Sequence, residues 1–173
     1  SFIENLLLQF GQLNFKKNEK LIAETLIWNI NDQGYLTTDL DLISEKLNID
    51  IKEIEKILKI VQGLDPVGVG SRNLRECLAI QLEKKSNNSL SKKIISEYFN
   101  DFVNKRFKKI KHEINCSSGE LNDAIDIISS LNPKPGDGGQ LNNSNYIIPD
   151  ILIEEIDGKL LVSTNDGNFP EIK

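Results

Sequence analysis

Apolar residues recur at intervals of three and four as far as about residue 132, a pattern typical of helices that bury one face. The clearest segment follows Asp50, which stands three residues before Glu53 and supplies an N-terminal cap. Its apolar positions are Ile51, Ile54, Ile57, Leu58, Val61 and Leu64. The same spacing predicts a first helix near residues 2–15 and a second over about 19–30. The second carries Leu21, Ile22, Leu26 and Ile30.

Further helices are predicted on the same grounds. They are a short third helix from Asp39, a fifth that ends near Lys85, a sixth from Ile94 to Val103, a segment at 107–114 that continues the sixth or forms a seventh, and a last one behind the capping box Ser117-x-x-Glu120. We therefore predict a mainly α fold of about seven to eight helices.

The fourth helix has to end at Leu64-Asp65-Pro66. Proline lacks an amide proton and drives the residue before it out of the helical region. Gly68 and Gly70 then allow a sharp turn, for which positive φ angles are available to glycine. Ser71 is expected to cap the next helix. This turn predicts the end of one helix and the start of the next near residue 70, in a chain long enough for one domain or for two small helical units.

The character of the chain changes after Asn132. Pro133, Pro135 and Gly136 begin a linker in which no helix can persist. Two β-favouring runs then flank Asp157-Gly158, which predicts a short β-hairpin. Because a lone hairpin is marginal in water, this tail over residues 133–173 is expected to dock on another surface.

The net charge of −5 conceals a basic segment between Lys84 and Lys111, where nine basic residues face two acidic ones, a net charge of +7. Its densest part, called the basic face below, is Lys105, Arg106, Lys108, Lys109 and Lys111. Such a face either meets nucleic acid or an acidic partner, or is a solvated helix surface. Both interpretations stay open from sequence alone.

The residues that carry enzyme or metal chemistry are scarce. The single histidine, His112, lies among lysines and is expected on the surface. Cys77 and Cys116 are widely spaced and are expected to be free thiols, with no zinc spacing. The glycine-rich stretch from Gly68 follows a helix rather than a strand and lacks a phosphate-binding lysine. We predict no catalytic residues, no metal and no cofactor.

Residues 39–64 suggest an alternative function, a helix-turn-helix DNA-binding regulator. A recognition helix places its first residues beside DNA phosphates, which require positive charge. From Leu36 to Asp65, however, seven acidic residues face four lysines. The pattern of two helices is credible, but its charge opposes DNA reading.

No apolar run approaches the roughly 20 residues needed to span a bilayer, and no signal peptide is visible at Ser1. These features favour a cytoplasmic protein without membrane contact. The chain contains no methionine, which suggests a piece of a longer protein.

The most specific motif lies at residues 64–78 and reads L-D-P-V-G-V-G-S-R-N-L-R-E-C-L. It resembles the signature of the bacterial sigma-54-type transcription initiation factors, usually L-D-P-P-G-V-G-A-R-D-L-x-E-C-L. Three further segments resemble family segments and occur in the same order. They are Gly34-Tyr35-Leu36, the L-N-P-K-P-G turn at 131–136 and Y-I-I-P-D at 146–150. Val67, Ser71 and Asn73 stand where the family more commonly has Pro, Ala and Asp. The segment 137–141 also differs from the family's usual continuation after the proline-glycine turn.

The resemblance implies a helical region that docks on core RNA polymerase. It implies two packed helical subdomains, expected here over residues 1–70, which bind core polymerase, and over residues 71–132. It also implies that promoter DNA and an activator ATPase are engaged through regions of the parent protein outside this chain. The signature residues are Asp65, Pro66, Gly68, Gly70, Arg72, Arg75 and Glu76. The two arginines lie at the positive end of a helix, which is unfavourable unless they are paired. Their expected partners are Asp65, Glu76 or a surface outside the chain.

Overall fold

The computed structural model describes residues 1–86 and 88–137 together with the backbone of two strands. Within these residues the chain is mainly helical, as predicted. It forms α1 (Phe2–Gly11), α2 (Lys17–Trp28), α3 (Leu40–Leu47), α4 (Ile51–Gln62), α5 (Leu74–Glu83), α6 (Ser89–Glu97), α7 (Phe99–Val103), α8 (Phe107–Ile114), α9 (Ser118–Ser129), β1 (Ile151–Ile156) and β2 (Lys159–Thr164). The described ranges therefore contain nine helices, more than the seven to eight predicted.

The additional helix arises because the predicted sixth helix is divided at Tyr98. The backbone there, at φ −123° and ψ 24°, ends α6 and begins α7. The first helix is also shorter than predicted. It ends at Gly11, and the chain then folds back so that the ring of Phe15 stacks on that of Phe10 at 4.7 Å between centroids. The apolar spacing continues beyond the end of α1, which is why the predicted helix was too long.

The chain divides into two compact units, the first of which contains Ser1–Gln81 and the described residues 132–137. α4 packs on α2 and α3 there. The fully buried side chains of this core include Leu6, Ile22, Leu26, Ile27, Ile43, Ile54 and Ile57. Burial of each stabilises the fold by about 1.5–3 kcal/mol. Asp50 caps α4 as predicted, since its carboxylate accepts from the Lys52 amide at 2.8 Å.

Leu21 differs from its prediction. The apolar spacing groups it with Ile22 and Leu26, but its side chain is 46% exposed while those two are buried. The exposed face of α2 also carries Trp28, which is 65% exposed. The first unit therefore has an outer apolar surface that the helical period alone does not explain.

Within the described residues, the second unit contains Leu82–Leu131, apart from Asn87, and the two strands. Its helices are α6 to α9. α6 packs on α9, and the buried Ser91 hydroxyl donates to the Ala124 carbonyl at 3.0 Å. The predicted capping box is confirmed. The Ser117 hydroxyl accepts from the Glu120 amide at 3.1 Å, and the Glu120 carboxylate accepts from the Ser117 amide at 2.8 Å.

The two strands pair antiparallel, with Ile151 opposite Thr164 and Ile156 opposite Lys159. The turn at Asp157-Gly158 and the motif at 146–150 lie outside the described residues, and docking of the tail stays a prediction. The division of the chain into functional subdomains at residues 70 and 132 stays a prediction. No helix in the described ranges combines the length and apolarity needed to cross a bilayer.

Candidate functional site

The segment at Asp65 is fixed by a side chain from α1. The Gln9 amide nitrogen donates to the Asp65 carbonyl at 2.7 Å, and the Gln9 amide oxygen accepts from the Asp65 N–H at 2.8 Å. The Asp65–Pro66 peptide bond is cis. Gln9 was not predicted from sequence, because a contact across 56 residues leaves no local pattern. It satisfies both backbone groups at the point where the chain leaves α4.

Gly68 and Gly70 both adopt the positive φ angles that the turn was expected to need, +93° and +79°. Their surroundings differ. A Cβ on Gly68 would lie 3.0 Å from the Cys77 sulfur and 3.3 Å from the Cys77 carbonyl oxygen, whereas a Cβ on Gly70 would have no neighbour closer than 3.5 Å. Gly68 is therefore required by both conformation and space, and Gly70 by conformation alone.

Ser71 does not cap the next helix, so that prediction is wrong. Its buried hydroxyl donates to the Gly68 carbonyl at 2.6 Å and closes the turn. The cap of α5 is Asn73, whose side-chain oxygen accepts from the Glu76 amide at 2.9 Å. The pattern Asn73-x-x-Glu76 contained this signal, since asparagine caps helices as well as serine does.

The chain around Gly34 pairs with this turn. The Gly70 N–H donates to the Gly34 carbonyl at 2.8 Å, and the Leu36 N–H donates to the Ser71 carbonyl at 2.9 Å. These two backbone hydrogen bonds join the 34–36 motif to the signature motif.

Arg72 is paired with Glu76, one of its expected partners. Its guanidinium donates to both carboxylate oxygens, at 3.1 Å and 2.7 Å, and its backbone amide donates at 2.7 Å. Burial favours a higher pKa for the Glu76 carboxyl, but the hydrogen bonds from Arg72 outweigh burial and lower this pKa. The same hydrogen bonds raise the pKa of Arg72. Arg75 is exposed on the first turn of α5.

The 132–136 motif returns to the same place. The Gln81 side chain donates to the Asn132 carbonyl at 2.6 Å and accepts from the Asn132 N–H at 2.8 Å. The Tyr35 hydroxyl donates to the Pro133 carbonyl at 2.5 Å. Gly136 lies so close to the 32–34 backbone that a Cβ there would overlap the Asp32 carbonyl oxygen. Gln81, like Gln9, escaped prediction from sequence.

Three motifs far apart in sequence, residues 34–36, 65–76 and 132–136, thus form one arrangement. Together with Gln9, Cys77 and Gln81, which contact them, they are called the junction below. At its centre the Cys77 thiol is buried and accepts from the Gln81 amide at 3.2 Å. Burial raises the pKa of this thiol and, with Cys77 beside it, that of the Tyr35 hydroxyl. Both groups therefore stay protonated near neutral pH. The described residues contain no cluster of His, Cys, Asp or Glu that could hold a metal ion.

The basic face belongs to the second unit, around the start of α8. Lys105, Arg106, Lys108 and Lys109 are exposed, and Lys111 is partly buried beside Ser118, to whose hydroxyl it donates at 3.0 Å. Asp101 is bonded by Arg106 at 3.4 Å and by Lys109 at 3.2 Å. The two groups of site residues predicted from sequence are therefore held in separate units.

The chain carries a helical scaffold whose junction positions backbone rather than reactive groups. The model of the family described as "Sigma-54 factor, core binding domain" matches residues 1–173, so the chain belongs to this family and is the core-binding region of a sigma-54-type factor. That match includes residues 39–64, which form α3, a turn and α4, and it does not favour the alternative of a DNA-binding regulator.

The chain is similar to known sigma-54 factors over nearly its whole length. It is 32% identical to the RNA polymerase sigma-54 factor of Salmonella typhimurium over 180 residues, covering 100% of this chain and 38% of that protein. Identity to the Bacillus subtilis factor is 33% over 162 residues, covering 92% and 37%. The chain therefore spans under two fifths of the length of these relatives.

The fold is also similar to a solved one. Aquifex aeolicus sigmaN, determined bound to promoter DNA, matches with a TM-score of 0.51 and 22% identity, covering 94% of this chain and 45% of that chain. At this identity the match supports the shared fold.

Proposed function

We propose that this chain docks a sigma-54-type transcription initiation factor on core RNA polymerase for activator-dependent initiation, as a binding module and not an enzyme. The observation that carries the proposal is the junction. All three family motifs that fall within the described residues meet there, although the first and last are about 100 residues apart. Their side chains bind the chain's own backbone, which suits a scaffold that presents surfaces to a partner.

The first unit supplies a surface suited to docking, which supports the assignment of core binding to residues 1–70. Five of the six large apolar side chains most exposed within the described residues belong to it: Leu8, Leu13, Leu21, Trp28 and Leu42. Protein interfaces have apolar centres, and tryptophan is frequent among the residues that dominate their binding energy. Trp28, at 65% exposure, is therefore the strongest candidate for a contact with polymerase.

The remaining parts of the proposal concern the parent protein and the second unit. We place the protein in the cytoplasm, with the activator ATPase and promoter DNA engaged through regions beyond this chain. Residues 71–132 form a second subdomain that carries the basic face as a partner-contact surface, and residues 133–173 form a linker and hairpin tail.

The proposal is tested by gel filtration of the 173-residue chain with purified bacterial core RNA polymerase. We expect the chain to co-elute with core enzyme. We also expect the chain to bind a promoter duplex no better than a scrambled duplex of equal length. Bovine serum albumin in place of polymerase is the control for non-specific retention. Failure to co-elute with core polymerase at low salt would show that the docking assignment is wrong.

A further inference from the structure

The basic face is built on a corner between α7 and α8. Phe102 and Phe107 are both buried, and their rings meet edge to face at 6.0 Å between centroids. The residues between them turn the chain, with Lys105 in the left-handed region at φ +59°. The Arg106 N–H donates to the Asp101 carbonyl at 2.8 Å. The aromatic pair therefore anchors the corner from inside, while Lys105 and Arg106 are exposed outside.

Positive charge exceeds negative charge within the segment that forms this corner. Between residues 101 and 111 there are five basic side chains and one acidic one, a net charge of +4. Asp101, only 14% exposed, serves both Arg106 and Lys109. Within the described ranges neither Lys105 nor Lys108 takes part in an ion pair, and Glu113 is the next acidic residue along α8. The face thus carries two exposed cations, Lys105 and Lys108, that have no ion pair within the described residues.

The local helix does not offset this charge. α8 has no side-chain cap and no acidic residue in its first turn, whereas α1 and α9 have both. Cations near a helix N-terminus oppose the helix dipole. The arrangement is unfavourable for the chain alone and becomes favourable when an anionic partner lies against it.

The composition of the face distinguishes between two kinds of anionic partner. Protein interfaces are depleted in lysine and have an apolar centre. Four of the five basic residues here are lysines, and Val103 is the exposed large apolar side chain that the described residues of the second unit contribute. Contacts to nucleic-acid phosphates need no apolar centre and are made by lysine and arginine without base recognition.

We propose that the basic face contacts the phosphate backbone of duplex DNA without reading its sequence, and so adds a DNA contact to a region that docks on polymerase. The contact belongs to the second unit and is independent of docking by the first. Its role is to hold passing duplex against the factor while sequence is read elsewhere.

The test is fluorescence anisotropy of two labelled duplexes of unrelated sequence, titrated with the 173-residue chain between about 20 and 200 mM salt. We expect equal binding of both duplexes and a linear fall of log affinity with log salt, by about 0.9 per phosphate neutralised. The variant Lys105→Gln/Lys108→Gln removes two exposed cations that have no ion pair. It should reduce the slope by about 2 and weaken binding at low salt several-fold.

The matched control is Lys52→Gln/Lys56→Gln, which removes the same charge from exposed positions of α4. It should leave the slope unchanged. Equal slopes for the two variants, or no duplex binding at the lowest salt, would overturn the proposal. So would a preference of more than about tenfold for one duplex, since phosphate contacts carry no sequence information.

An acidic protein is the competing partner, and poly-glutamate tests it. Unlabelled duplex should displace labelled duplex more effectively than poly-glutamate at equal charge. If poly-glutamate competes equally well, the face fits acidic polypeptide and the DNA proposal fails. Co-elution with core polymerase is measured separately on the same variant, so that failure of this proposal and failure of polymerase docking are distinguished.

Discussion

The junction and the basic face use polar side chains in opposite ways. In the junction, Gln9, Gln81 and Tyr35 each bind backbone groups of the same unit, and Arg72 is paired with Glu76. In the basic face, Asp101 serves two cations, and Lys105 and Lys108 have no ion pair within the described residues. Polar side chains that find their hydrogen-bond partners inside the fold stabilise the structure, whereas charged side chains without an ion pair are available to a partner. Substitutions in the two regions should therefore have different consequences.

The largest effect is expected for Gly68→Ala. It introduces a side chain at φ +93° and places Cβ 3.0 Å from the Cys77 sulfur. Backbone strain and crowding together should lower the free energy of unfolding by about 2–4 kcal/mol. Gly70→Ala is the matched control, because it has the positive φ without the crowding, and it should cost about 1 kcal/mol. Urea denaturation of both variants measures the difference. Equal losses would mean that crowding at Gly68 is relieved without cost.

The next largest effect is expected at Gln81, whose side chain holds the backbone of Asn132 in the junction. Gln81→Leu removes both hydrogen bonds to Asn132 and leaves its carbonyl and N–H without these partners, which should cost about 1–3 kcal/mol. Protection of the Asn132 amide from hydrogen exchange should fall more than that of the α4 amides. Gln12→Leu, at an exposed position after α1, is the control. Unchanged protection of Asn132 would contradict a clamping role for Gln81.

How far sequence predicts these features depends on the range of the interaction. Helical spacing located the helices, and proline and glycine located the signature turn, because these signals are local. Gln9 and Gln81 were missed because each reaches backbone more than 50 residues away. The division at Tyr98 was missed because neither proline nor glycine marks it. The Asn73 cap was missed although its signal was present, since Ser71 offered a competing one.

A substitution at Trp28 should weaken binding to polymerase while leaving the free energy of unfolding almost unchanged. Because this side chain is 65% exposed at the end of α2, Trp28→Ala should change the free energy of unfolding by less than about 0.5 kcal/mol. It should weaken binding to core polymerase by about 1–2 kcal/mol, a factor of roughly five to thirty. Val103→Ala in the second unit is the control, and binding is measured by titration of labelled chain with core enzyme. If both variants bind as wild type does, polymerase contacts another surface.

The smallest effect is the pH dependence of the pair Arg72–Glu76. Because folding lowers the pKa of the Glu76 carboxyl, the unfolded chain takes up the proton first as pH falls. The pair therefore stabilises the fold above the ordinary glutamate pKa of about 4.3 and loses this contribution as pH falls through the lower folded pKa. Since Arg72 is half exposed, the contribution should be below about 1 kcal/mol.

Denaturation of wild type and Glu76→Gln between pH 7 and 3 measures this contribution. The difference in stability should be constant near neutral pH and should shrink at the acidic end. Arg72→Gln should show the same profile, because it removes the other half of the pair. A difference that grows on acidification would contradict the lowered pKa.

The central claim is that the junction builds the domain while polymerase is contacted elsewhere. It is tested most directly by titrating core RNA polymerase with wild type and with Gly68→Ala, at a low temperature where circular dichroism shows both folded and again through the melting range of the variant. We predict affinities within about twofold at low temperature, with binding by the variant then lost in parallel with its unfolding. A fully folded variant that binds more than about tenfold more weakly would place the junction in the polymerase interface and contradict this account.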